Sequence, residues 1–150
     1  MYIEGRITNL QKKAINYFAD KLFSYQLKRN LNVRIITRRK PVEFYGLAEV
    51  ISFNTSGRAR DFLIEINGSL SIEDKLRTLA HEMVHVKQYA YDELNCEMTM
   101  WRGKEVDADK IPYAQQPWEI EAWTKGDRLY RSFMNGHVRL CALQRPRIPN

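Results

Sequence analysis

The chain has 150 residues, 44% of them hydrophobic and 28% charged, ordinary values for one folded domain with its own core. This composition excludes a fibrous, low-complexity or disulfide-scaffold protein. No run nears the roughly 18 apolar residues of a membrane span, and residues 1–6 hold no apolar secretory segment. The net charge of +6 is gathered in two basic clusters, 28–40 and 128–147, which make contact with nucleic acid or another acidic partner an expectation. Cys96 and Cys141, with no export signal before them, read as free thiols in a cytoplasmic protein.

Apolar residues recur at Leu10, Ala14, Tyr17, Phe18, Leu22 and Tyr25, which predicts one amphipathic helix from Thr8 to Leu27 with Thr8 or Asn9 as cap. Three β-like runs follow, at 31–37, 43–53 and 61–66, separated by turn chemistry at 38–41 and 54–57. Short links between consecutive runs predict an antiparallel meander. Ser71-Ile72-Glu73-Asp74 reads as a capping box that opens a second helix. Its apolar stripe runs through Ile72, Leu76, Leu79, Ala80, Met83, Val84 and Ala90. A hairpin is expected across 98–106 with Gly103 at its turn, then a loop at 111–116. Pro117 suits a first helical position, and the last helix is expected to run from Trp118 to Phe133, with Ile120, Trp123, Leu129 and Tyr130 at helical spacing. Asn135-Gly136 is expected to stop it, leaving an extended basic tail at 137–150 beyond a domain of residues 1–136.

The second predicted helix carries His81-Glu82-Met83-Val84-His85, an HExxH that takes two of the chain's three histidines. Residues four apart share a helix face, so both imidazoles can reach one metal ion while Glu82 sits beside them. The two histidines border the apolar stripe, which places a metal at the rim of the core. Zinc held by two histidines needs a third protein ligand and an open position for water. Bound zinc lowers that water's pKa to roughly 7. A carboxylate alongside can take its proton and pass it to a leaving amine, a role that fits Glu82 by position.

The extended HExxHxxGxxH pattern is absent, with Gln88 and Tyr91 at the two further positions. Third-ligand candidates are therefore His137, Glu119 and Glu121. Glu119 and Glu121 are about 200° apart around a helix, so only one can face the ion. Tyr113 and His137 are candidates for a donor to a developing oxyanion.

His81 to Gln88, a gap of about thirty residues and then Pro117-x-Glu119-x-Glu121-Ala122 resemble zincin metallopeptidases of the glutamate-ligand type. The chain is similar to the compact SprT-like and ImmA/IrrE-like domains of bacteria and phages, in element order from residue 8 to residue 133. The resemblance implies His81 and His85 as zinc ligands and Glu82 as general base. The ExxA(D/N) pattern of such relatives implies Glu119 as third ligand, with Glu121 as the alternative. Trp123 stands where those relatives carry Asp or Asn.

The expected architecture is a single α+β, zincin-like domain with an N-terminal helix, a small, mainly antiparallel three-stranded sheet, an HExxH helix and a ligand-bearing helix. The expected function is zinc-dependent hydrolysis of peptide bonds in a protein or peptide substrate, with no membrane partner. The alternative is a DNA- or protein-binding module on the same fold, in which the metal is structural or regulatory.

Overall fold

The computed structural model describes residues 1–39 and 43–143, with side chains as far as Arg139. Lys40 of the first basic cluster and Arg145 and Arg147 of the second lie outside the described residues, as does the side chain of Cys141. Cys96 is exposed and free.

The protein is a mixed α/β domain with helices on one face of a small sheet. The strands β1 (Tyr2–Glu4), β2 (Asn32–Arg38), β3 (Gly46–Phe53) and β4 (Ala59–Asn67) lie in the order β1-β2-β4-β3. β1 and β2 are parallel, β2 and β4 are parallel, and only β3 and β4 are antiparallel. The predicted three-stranded meander is therefore corrected in strand number, strand order and strand direction. β2 and β3 do run in opposite directions, but they are not neighbours, because β4 lies between them. Two strand spacings are about 10 Å, well within the reach of a seven-residue link. β3 then turns directly into β4, where the Asn54 carboxamide oxygen accepts N–H groups of Ser56 and Arg58 at 3.0 and 2.9 Å. Strand alternation sends Val33, Ile35, Phe62, Ile64 and Ile66 into the core.

The predicted first helix is two helices, α1 (Asn9–Leu22) and α2 (Tyr25–Arg29). Thr8 and Gln11 form the capping box of α1. The break falls at Ser24, whose hydroxyl accepts the Leu27 N–H and so starts a new helix. Because α1 and α2 lie between them, β1 and β2 join as a parallel crossover.

α3 (Ile72–Ala90) opens at Ser71, whose hydroxyl accepts the Asp74 N–H at 3.0 Å. It packs on β3 and β4, with α1 and α4 (Pro117–Leu143) against its other sides. From Thr78 to Ala90 every residue but Lys87 is buried. The histidines thus lie within the core, not at its rim as the apolar stripe had suggested.

Between α3 and α4 the hairpin of β5 (Met100–Trp101) and β6 (Lys104–Glu105) forms as predicted. Arg102 and Gly103, with φ of 49° and 77°, supply the two left-handed positions of its tight turn. Two 3-10 turns, Ala108–Lys110 and Tyr113–Gln115, then lead to Pro117, the first residue of α4.

α4 continues past Asn135 and Gly136 to Leu143, so the stop expected there does not occur, and the tail is helical through residue 143. An exposed glycine inside a helix costs about 1 kcal/mol, too little to end a long one. Its inward side is Trp118, Ala122, Gly126, Tyr130 and Phe133. Ile120 and Trp123, two of the apolar residues at helical spacing, are 51% and 57% exposed. At Gly126 an added Cβ would stand 3.1 Å from the N and Cα atoms of His81, so this glycine lets α4 approach α3 at the motif. No helix among the described residues is long and apolar enough to cross a membrane.

Candidate metal centre

α3 holds His81 and His85 one turn apart, and the first turn of α4 brings Glu119 over them. The two Nε2 atoms are 3.1 Å apart, and each lies 3.3 Å from one oxygen of the Glu119 carboxylate. Ligand atoms of all three residues fall within 4.8 Å of one another, and all three side chains are buried. Glu119 Oε2 is shut off from solvent and has only the His81 Nε2 at 3.3 Å facing it, without the geometry of a good hydrogen bond. Such an oxygen is costly unless something pairs with it. Two imidazole nitrogens and a carboxylate converging in this way are a donor set that can hold a divalent cation.

Burial acts to raise the Glu119 carboxyl, but the close His81 and His85 imidazoles, the His85 charge and the Tyr113 hydroxyl hold it well below the usual carboxylate range. Burial pushes His81 down. It acts the same way on His85, where contact with Glu119 and the charge of Glu82 outweigh it and the imidazole rises.

The two histidines are oriented differently. His85 Nδ1 lies 2.8 Å from Oε1 of Gln88. The Gln88 amide nitrogen donates to the Trp118 carbonyl at 2.9 Å and to Glu121 at 3.1 Å, which fixes which end of the carboxamide faces His85. Nδ1 of His85 therefore carries the proton, and Nε2 presents its lone pair to the centre. His81 Nδ1 has no hydrogen-bond partner. Its ring is instead covered by Trp123, with centroids 4.4 Å apart at a 50° tilt.

Glu82, 4% exposed, sits on the side of α3 that faces β3. Burial raises its carboxyl to about 7, with Glu119 adding to the rise and the His85 charge and the Ala48 N–H opposing it. The space for this side chain depends on Gly46. A Cβ there would be 2.4 Å from Thr78 Cγ2 and 2.9 Å from Glu82 Oε1.

Among the residues singled out from the sequence, His81, Glu82, His85 and Glu119 come together. Glu121 does not ligate: its carboxylate is held by Gln88, Lys87, Arg102 and Lys125. These contacts keep it at about 2, against the upward push of burial. Tyr113 comes near the centre: burial and then its interaction with Glu119 raise the phenol. His137 does not: it stacks on Phe133, and it lies 18 residues beyond Glu119 on α4, about 27 Å along the axis. The sequence reading missed Gln88, Gly46, Ala48 and Gly126. Only Gln88 had a local signal, since it lies three residues after His85 on the same face. No protein-family model, curated protein or solved structure matches the chain.

Proposed function

We propose that the chain is a zinc-dependent metallopeptidase of the zincin type. The observation that carries this reading is the buried convergence of His81, His85 and Glu119 beside a Glu82 carboxyl raised to about 7. His₂Glu is the ligand set of hydrolytic zinc sites that keep one position for water. When bound there, zinc supplies Lewis acidity toward a carbonyl and a water acidic enough to attack near neutral pH.

The protein's own residues then divide the work. Glu82, with a carboxyl near neutrality, accepts a proton from water and returns it to the leaving amine. Tyr113, which interacts with Glu119 from the segment before α4, donates to the substrate carbonyl as charge develops. Gln88 holds the His85 ring. The peptide is accepted along β3, an edge strand. Tyr45 C=O bonds to Asn67 N–H on the β4 side. Strand alternation therefore turns the backbone groups of Gly46 and Ala48 to the open edge, next to Glu82.

The test is zinc content and peptide cleavage of wild type and Glu82→Gln. About one zinc per chain in both, with cleavage in wild type alone, supports the proposal. Zinc in both with no cleavage by either on broad peptide libraries favours a binding module with structural metal. Wild type that takes up no divalent metal overturns the metal centre itself.

A further inference from the structure

A cavity of about 730 Å³ shares no residue with the metal centre. It exists because β1 stops after three residues while β2 runs on to Arg38. Gly5, at φ 138°, turns the chain away: a Cβ there would lie 2.1 Å from the Ile35 carbonyl oxygen. Leu31 C=O accepts from Tyr2 on the β1 side of β2, and Arg38 C=O accepts from Gly68 on the β4 side. Alternation then points the N–H and C=O of Thr37 into the notch that β1 vacates. Leu10 of α1 and Ile72 of α3 form apolar walls. The notch is a crevice beyond the carboxyl end of a parallel strand, with the volume of a small-molecule site.

Its charge is one-sided. Arg6, Arg34, Arg39 and Lys75 line it, and the single carboxylate in the lining, Glu4, is paired with Arg34 at 3.2 Å. Arg6, Arg39 and Lys75 form no ion pair among the described residues. Several cations elsewhere on the surface are paired, as in Arg38 with Glu65, Arg77 with Asp127 and Arg131 with Asp127. Three uncompensated cations around one cavity repel each other, and a multiply charged anion relieves that repulsion.

We infer that this notch binds a phosphate-bearing ligand, a nucleotide phosphate either free or within a strand. The guanidinium groups of Arg6 and Arg39 match the forked geometry of phosphate oxygens, and Lys75 adds a point charge. The Thr37 N–H supplies a directed donor, and the apolar walls receive the carbon skeleton. A single carboxylate would leave two of the three charges uncompensated.

The experiment is calorimetric titration of the full chain with tripolyphosphate, ATP and a short single-stranded oligodeoxynucleotide, with chelator present so that no metal ion mediates contact. The Arg6→Gln/Arg39→Gln double variant and Lys75→Gln are compared with wild type. Arg128→Gln, on α4 outside the cavity, is the control. Binding that weakens about tenfold or more in both cavity variants, but not in the control, supports the site. Preference for ATP identifies a free nucleotide as the source, and preference for the oligonucleotide identifies a strand. Circular dichroism checks that the surface substitutions keep the fold. The inference is overturned if none of the three probes binds, or if the control weakens binding as much as the cavity variants do.

Discussion

Nδ1 of His85 lies 2.8 Å from Oε1 of Gln88, and the far end of the same carboxamide is tied to the Trp118 carbonyl and to Glu121. The metal centre is thereby linked to a charged cluster that joins three elements. Arg102 reaches Glu121 from the β5–β6 turn, Lys87 from α3 and Lys125 from α4. Gln88 is fully buried. Gln88→Ala is expected to leave a folded chain whose divalent-metal affinity falls about 10–100-fold, the usual effect of losing a histidine's outer partner. Competition with a chelator of known affinity measures this, and an unchanged affinity would show that packing alone orients His85.

Glu121 should make the fold sensitive to acid. Its carboxyl sits at about 2 instead of the ordinary 4.5, against burial, because Lys125, Gln88 and Lys87 favour the charged form. Between these two values the unfolded chain binds more protons than the native one, so stability rises with pH through that window. It is complete above about 4.5 and lost as pH falls toward 2. Solvent screening of the half-exposed Lys125 and Arg102 reduces what this difference contributes to about 1–2 kcal/mol. Glu121→Gln should therefore lower stability by a substantial part of that at pH 7 and by little near pH 2. Chemical denaturation at both pH values measures the difference, and an equal loss at both would show that charge is not what Glu121 supplies.

How far the sequence revealed this molecule depended on the range of the contacts involved. The HExxH spacing, the cap at Ser71 and the turn at Arg102-Gly103 are settled within one or two turns of chain, and they were readable. Glu119 could be proposed because few other ligands existed. Strand order was not readable, because β4 enters between β2 and β3 through long-range pairing that local periodicity does not encode. The buried side of α4 was not readable for a related reason. Large residues such as Ile120 and Trp123 look like core, whereas Ala122 and Gly126 make the close contact because they are small.

Gly46 offers a way to disturb Glu82 without touching a metal ligand. In Gly46→Ala the new Cβ would stand 2.4 Å from Thr78 Cγ2 and 2.9 Å from Glu82 Oε1, closer than real contacts permit. The Glu82 carboxylate must move to relieve this, and a displacement near 1 Å costs about 10²-fold in rate. The expected outcome is peptide cleavage reduced by about that factor with zinc content unchanged. Loss of zinc together with activity would mean that the strand shifted as a whole and carried the ligand helix with it.

The raised carboxyl of Glu82 should appear in the stability of the metal-free chain. Burial lifts it from the ordinary 4.5 to about 7. Between these values the native state binds more protons than the unfolded state, so stability falls as pH rises through the window. Below about 4.5 the carboxyl is neutral in both states and costs nothing of this kind. Above 7 the native chain holds a buried carboxylate, with the Ala48 N–H as a backbone donor. Glutamine has the neutral form's shape without its acidity, so Glu82→Gln should remove this penalty, on the order of 3 kcal/mol for 2.5 units. Thermal melts of chelator-treated wild type and Glu82→Gln should nearly coincide at pH 4 and diverge at pH 8, with the variant more stable. Melting curves separated equally at both pH values would show that the Glu82 carboxyl titrates alike in the native and unfolded chains, and so is not raised by burial.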